Sequence, residues 1–173
     1  MISELERMYV NKYEATLVPI AERLFDLLDS YLHDEPRIDR ISTRAKSVSS
    51  FLGKARKERD GVAMYDEPLN QVQDQIGARV ITFYRSDVER IAEILLKYFR
   101  SIEDKNFVPD SDEEFGYFGR HFVFFCPKDI LEDSVDADSA PKFFELQIKT
   151  LYQHALSEAN HDLGYKEVAP LSS

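Results

Sequence analysis

Three short runs dense in β-branched and aromatic residues, Ala78 to Tyr84 (ARVITFY), His121 to Cys126 (HFVFFC) and Phe143 to Lys149 (FFELQIK), restrict this chain to folds that bury a sheet. Helical spacing fills the intervals. Ser3-Glu4-Leu5-Glu6 has the form of a capping box, and Leu5, Met8, Leu17, Ile20, Leu24, Leu27 and Leu28 follow at near-helical steps, with Pro19 expected to kink or split that helix. A short extended stretch is expected around Ile38 to Thr43. A second helix is expected over Ser47 to Arg59, with Val48, Phe51, Leu52 and Ala55 turned inward and Asp60-Gly61 ending it. Ser86-Asp87-Val88-Glu89 and Thr150-Leu151-Tyr152-Gln153 repeat the capping signature and open helices running to the neighbourhood of Phe99 and Gly164. The last two strands, separated by the acidic stretch Asp129 to Ala140, are expected to pair as a hairpin with a long loop. This irregular interleaving predicts an α+β fold, a mixed β-sheet flanked by helices, rather than a doubly wound parallel sheet.

A chain of 173 residues, 43% of them hydrophobic, is enough for one sizeable core, so a single domain over 1-173 is expected. Within it, 1-35 reads as an N-terminal helical segment. The one cysteine, Cys126, rules out an internal disulfide and suits a reducing compartment. The N-terminus carries acidic residues early and no basic stretch leading into an apolar one, so no signal peptide or membrane span is expected. The expected location is cytoplasmic, without a membrane partner. A net charge of -10 disfavours broad, non-specific binding to nucleic acid or anionic lipid. The distribution is uneven: from Arg37 to Arg59 eight basic residues face two acidic ones, a local balance of +6, and the remainder carries -16. Such a cationic island suggests a confined anion site, with triphosphate the obvious small candidate, or else a solvated, salt-bridged helix face.

Within FFELQIK the strand period puts Phe144, Leu146 and Ile148 on one face and Glu145, Gln147 and Lys149 on the other. That polar face is either exposed to water or a surface for metal and phosphate. Asp74, just before the strand near Gly77, either caps a turn or joins Glu145 in offering the hard oxygen ligands Mg²⁺ prefers. Gly116-Tyr117-Phe118-Gly119-Arg120-His121 joins a flexible backbone to an aromatic ring, suited to stacking a base or simply to turning the chain. It lacks the spacing of a dinucleotide fingerprint or a P-loop. His154, Glu158 and His161 share a helical face, but without the four-residue histidine spacing of a zinc protease or a cysteine nearby.

Taken in this order, the pieces resemble the synthetase domain of the RelA/SpoT alarmone enzymes, over roughly residues 37 to 166. RISTRAKSVSSFLGKA resembles the family's Arg-x-Lys, Ser, Lys segment that cradles the ATP phosphates, and DQIGARVI its Asp-x-x-Gly-x-Arg strand start. FGYFGRH is similar to the Gly-Tyr-Arg-Ser-x-His loop whose tyrosine stacks on the acceptor guanine. FELQIKT is similar to the Glu-x-Gln-x-Arg-Thr strand, and HALSEANHDLGYK to the closing helix, ending in Tyr165 and Lys166.

The resemblance implies a nucleotidyltransferase-like synthetase fold and a pyrophosphokinase that moves the β,γ-pyrophosphate of ATP to a ribose 3′-hydroxyl of GDP or GTP. It implies Arg44, Lys46, Lys54, Arg79 and Lys149 as ATP and phosphate ligands, and Asp74 and Glu145 as catalytic residues holding Mg²⁺. It also implies Tyr117, Arg120, His121, Gln147 and His161 as acceptor contacts. Phe118 replaces the family's loop arginine and Lys149 its strand arginine, and Glu113 and Glu114 stand where nucleotide-accepting members carry a phosphate-binding lysine. An adenine nucleotide is an alternative acceptor. Another is the 3′ end of tRNA, the target of toxic small members, which brings an antitoxin protein in as a possible partner. A third reading is a non-catalytic nucleotide-binding regulatory module, against which the paired Asp74 and Glu145 weigh.

Overall fold

The computed structural model describes residues 3–107, 119–131 and 140–166, with the side chains of the last helix described as far as Ala159. Helix α1 (Glu4–Lys12) starts where the capping signature places it, Ser3 Oγ accepting from the Glu6 N–H at 3.2 Å. A π-helical turn, Tyr13–Leu17, carries the chain into α2 (Val18–Leu32), with the Val18 N–H reaching back five residues to Tyr13 O. The interruption expected at Pro19 thus takes the form of a widened turn immediately ahead of it, where the ladder adjusts to the missing proline donor.

The central sheet has five strands: β1 (Ile38–Ala45), β4 (Ile76–Thr82), β5 (Ser101–Phe107), β6 (Gly119–Phe125) and β7 (Phe143–Thr150). Their spatial order is β1-β4-β7-β6-β5. Only the β4–β7 pairing is parallel; β1–β4, β7–β6 and β6–β5 are antiparallel, so the sheet is mixed as the sequence predicts. α2 packs on β1 and β4, and α5 (Arg85–Tyr98) on β4, β6 and β7, covering one face. Leu24, Leu28, Ile91 and Leu95 from the helices meet Val80, Phe122, Leu146 and Ile148 from the strands there. Phe99, Phe124 and Phe144 add an aromatic cluster with centroids 5.3–5.5 Å apart. The opposite sheet face carries the polar half of each strand, and α7 (Leu151–Lys166) leaves β7 to pack against the ends of β4 and β7. Its capping box forms in full: the Thr150 N–H donates to Gln153 Oε1 at 3.0 Å and the Gln153 N–H to Thr150 Oγ1 at 3.3 Å.

Several expectations are corrected. The helix expected over Ser47 to Arg59 is α3 (Val48–Ala55) only. Beyond it, β2 (Glu58–Arg59) and β3 (Val62–Ala63) form a hairpin turned by Asp60 and Gly61 at φ 55° and 78°. Asp-Gly favours a hairpin turn in that left-handed region, and here it reverses a ribbon rather than ending a helix. α5 begins two residues earlier than the Ser86 signature suggests: Tyr84 is its N-cap, and its N–H donates to Asp87 Oδ2 at 3.0 Å. No sequence signal marks β5, because SIEDKNF is an edge strand with little apolar alternation. Two short helices, α4 (Pro68–Gln71) and α6 (Lys128–Leu131), complete the described elements, and α7 runs to Lys166 rather than stopping near Gly164. Among the described residues no helix is long and apolar enough to cross a membrane.

Candidate functional site

Strand register brings the polar residues of β7 together with their neighbours on the open face. Glu145 lies across from Gly77 of β4 and Val123 of β6, and Gln147 from Arg79 and His121. On the next strand Arg44 stands opposite Gly77 and Ser42 opposite Arg79. Two adjoining cavities result. One, of about 150 Å³, is lined by Ser42, Arg44, Gly77, Arg79, Glu145 and Gln147 among others. The second, of about 290 Å³, is lined by Lys54, Tyr65, Gln71, Gln73, Asp74, Val123 and Glu145. Glu145 belongs to the walls of both. Gly77 leaves the floor open beside the Arg44 side chain, which a Cβ there would meet at 3.8 Å.

Asp74 sits in a single 3-10 turn, Gln73–Gln75, ahead of β4. Two lysines converge on it: Lys46 Nζ donates to Oδ2 at 2.9 Å, and Lys54 Nζ lies 3.0 Å from Oδ1. Lys46 comes from the corner between β1 and α3, and Lys54 from the last turn of α3. Burial is the largest single influence on the Asp74 carboxyl and would raise its pKa. The close contacts and charges of the two lysines together outweigh it, holding the carboxyl below its ordinary 3.8. The Lys54 contact is ionic without good hydrogen-bond direction, so the buried Oδ1 keeps an unused lone pair. The turn is held from behind, where the Gln75 side-chain amide donates to Leu69 O and Val72 O, each at 2.8 Å.

Around Glu145, Gln147 Nε2 donates to Oε1 at 3.4 Å and His121 Nδ1 lies 3.9 Å away. Gln147 Oε1 is buried without a hydrogen-bond partner. Burial, then the charges of Lys149, Lys105 and Arg79, push the His121 pKa down to about 4, so its imidazole is neutral near pH 7. Burial followed by Arg79 lowers Lys149 to about 8. Arg79 is held at its outer end by α7, with Nη1 3.5 Å from both His154 Nδ1 and Glu158 Oε1. A half-buried carboxylate between two lysines, beside a second carboxylate and two arginines, has the residue types that could hold a polyanion together with a hard cation.

The model of the region found in RelA / SpoT proteins matches residues 43–169, which include the Arg44, Lys46, Lys54, Asp74, Arg79 and Glu145 positions just described. The chain belongs to the RelA/SpoT family. Among solved structures, it is similar to a GTP pyrophosphokinase family protein from Streptococcus pneumoniae, at TM-score 0.68 and 22% identity over 95% of this chain and 78% of that one. It is also similar to the small alarmone synthetase 1 from Bacillus subtilis, at TM-score 0.66 and 26% identity over 94% and 83% of the two chains. The same Bacillus protein bound to its product pppGpp matches at TM-score 0.64 and 24% identity, over 95% and 83%. No curated protein matches the chain. These likenesses establish a synthetase-type domain of the small alarmone synthetase kind.

Arg120, implied as an acceptor contact by the RelA/SpoT resemblance, falls elsewhere. Arg120 is placed on the helix-covered face, in register with Ile148, where it donates to Glu89 Oε2 of α5 at 2.6 Å and to both oxygens of Asp104. The structure therefore does not bring it to the cavities, because one residue along a strand reverses the side. His154 and Glu158 engage Arg79, and among the described residues no group of three or more His, Cys, Asp or Glu could hold a metal. Tyr117, Phe118, Glu113 and Glu114 lie outside the described residues, as do the side chains of His161, Tyr165 and Lys166. Tyr65, Gln71 and Gln73 were missed, since they come from the stretch between β3 and β4, where α4 and the 3-10 turn are single turns too short to carry a periodic signal. Lys105 was missed with β5; it stands across from His121, near enough to lower that imidazole's pKa.

Proposed function

We propose that the chain is an ATP-dependent pyrophosphokinase that transfers the β,γ-pyrophosphate of ATP to a ribose 3′-hydroxyl of GDP or GTP. The observation that carries this reading is Asp74 clasped by Lys46 and Lys54 in a cavity that shares Glu145 with a second, arginine-lined cavity. Family membership and the likeness to a synthetase solved with pppGpp support it.

The donor's phosphates would take over Lys46 and Lys54 from Asp74, with Arg44 and Arg79 adding charge along the neighbouring wall. The residues fit Mg²⁺, which is usually held by one or two carboxylates plus substrate phosphates, and Asp74 Oδ1 is a buried oxygen with a lone pair to give. A bound Mg²⁺ would neutralise charge developing on the phosphoryl oxygens. The acceptor's 3′ oxygen would form a bond to the β-phosphorus as the bond from that phosphorus to the α,β-bridging oxygen breaks, releasing AMP. Glu145 would take the hydroxyl proton, with Gln147 Nε2 holding its orientation and Gln147 Oε1 free to accept from a ribose hydroxyl. His121, kept neutral, would add no positive charge beside Glu145.

The 3′ end of tRNA is the second reading, favoured by Glu113, Glu114 and Phe118 at positions where nucleotide-accepting members carry cations. The helix expected over Ser47 to Arg59 ends at Ala55, so Lys54 to Arg59 offers no continuous cationic helix to an RNA backbone. The deciding experiment offers GDP, GTP, AMP, ADP and bulk tRNA in parallel to the protein with Mg²⁺ and ATP labelled on the γ-phosphate, with Glu145→Gln as control. Label is expected in GDP or GTP. Label only in tRNA would replace the acceptor, and transfer to nothing while ATP still binds would favour the regulatory module.

A further inference from the structure

The phosphate lysines are held by a side chain from outside the segment the family model matches. We infer that Tyr9, on α1, is a positioning residue for Lys46 and Lys54, which makes the N-terminal helix part of the donor site. The inference rests on the pyrophosphate-transfer reading above and adds to it a residue that precedes position 43, where the family match begins.

The Tyr9 ring is fully buried. It stacks face to face on Phe51 of α3, with centroids 3.7 Å apart and planes within 1°. Its hydroxyl donates to the backbone oxygen of Lys46 at 2.8 Å. That oxygen lies in the corner past Ala45, where the pairing of β1 with β4 ends. On the other side of the same residue, the Lys46 N–H donates to Gln75 O at 2.8 Å, next to Asp74. Lys46 is therefore fixed through its oxygen by α1 and through its N–H by the turn that carries the carboxylate. Phe51 precedes Lys54 by three residues in α3, so both occupy one side of that helix. One tyrosine thus seats the backbone of the first lysine with its hydroxyl and the helix of the second with its ring.

Burying the hydroxyl without another purpose gains little, because phenylalanine would fill the same volume and stack equally well. The cost of losing it falls on the aim of Lys46, since an ammonium displaced by a fraction of an ångström no longer meets a phosphate oxygen in good geometry.

The test is a double-mutant cycle read by direct binding of an ATP analogue that cannot be cleaved between its α and β phosphates, with Mg²⁺, to the full chain. Tyr9→Phe is expected to weaken binding about 5- to 10-fold in the wild-type background and less than about 2-fold in a Lys46→Met background, because its effect passes through Lys46. The thermal midpoint is recorded for each variant. Equal weakening in both backgrounds, or none in a folded Tyr9→Phe protein, overturns the positioning role. Should Tyr9→Phe not fold, Phe51→Leu with Lys54→Met gives a second cycle with the same expected non-additivity, and additivity there overturns it too. Absence of analogue binding by the wild type would instead sink the transfer reading, and this inference with it.

Discussion

Two ion clusters of inverted sign sit on opposite faces of the sheet. On the open face one carboxylate, Asp74, is clasped by two ammoniums; on the helix-covered face one guanidinium, Arg120, is clasped by two carboxylates, Glu89 and Asp104. The Asp74 cluster has a surplus cation and borders a cavity; the Arg120 cluster has a surplus anion and ties β6 and β5 to α5. A surplus charge bordering a cavity can be answered by a ligand, whereas one that cross-links two strands and a helix, with its carboxylates open to water, serves the fold. In the proposed reaction Asp74 would keep the lysines where a phosphate would want them and would give them up when one arrives.

The largest expected effect is on the carboxylate between the cavities. Glu145→Gln should lower the transfer rate by about 100- to 10,000-fold, as loss of a general base does, while affinity for a non-cleavable ATP analogue changes little. Lys46→Met should weaken that affinity about 10- to 100-fold, the worth of a charge-assisted contact, in calorimetric titration. The other cluster should behave in the opposite way. Arg120→Met is expected to cost about 1 kcal/mol of stability, seen as a lower melting midpoint, with the KM for every acceptor unchanged. A raised acceptor KM with an unchanged midpoint would return Arg120 to the acceptor site and break the comparison.

Smaller effects appear in pH dependence. With its pKa lowered to about 8, Lys149 loses its charge as pH rises through that value, so ATP affinity should fall on the alkaline side. Lys149→Arg should flatten that limb in a KM-against-pH series. Asp74 has a depressed folded-state pKa, so its contribution to stability is full above the ordinary carboxylate value of 3.8 and is lost as pH falls through the lower folded value. Wild type and Asp74→Asn should therefore differ in stability near neutrality and converge at strongly acidic pH in denaturant titrations.

Legibility in the sequence followed periodicity. Alternation in FFELQIK told which face of β7 is core, and the buried Phe144, Leu146 and Ile148 agree. The capping signature at Thr150 marked a helix start because both reciprocal bonds depend on local residue types alone. What escaped depends on partners distant in sequence. β5 is a strand because β6 pairs with it, and α3 ends at Ala55 because the Asp-Gly turn recruits the following residues into a ribbon. The face chosen by Arg120 was decided by its offset of one residue from His121, which a motif match overlooks and strand parity reveals. Tyr65, Gln71 and Gln73 reach the cavity from a loop and two single helical turns, and Tyr9 reaches Lys46 across 37 residues, so neither leaves a local trace.

The most direct test of the open face as a site of pyrophosphate transfer is the stoichiometry of a single incubation. With Mg²⁺, γ-labelled ATP and an acceptor, AMP and labelled acceptor should appear one for one, and both should vanish in Glu145→Gln. Formation of ADP and inorganic phosphate instead, or labelled acceptor undiminished in Glu145→Gln, would contradict the assignment of Glu145 and of the cavity it shares with Asp74.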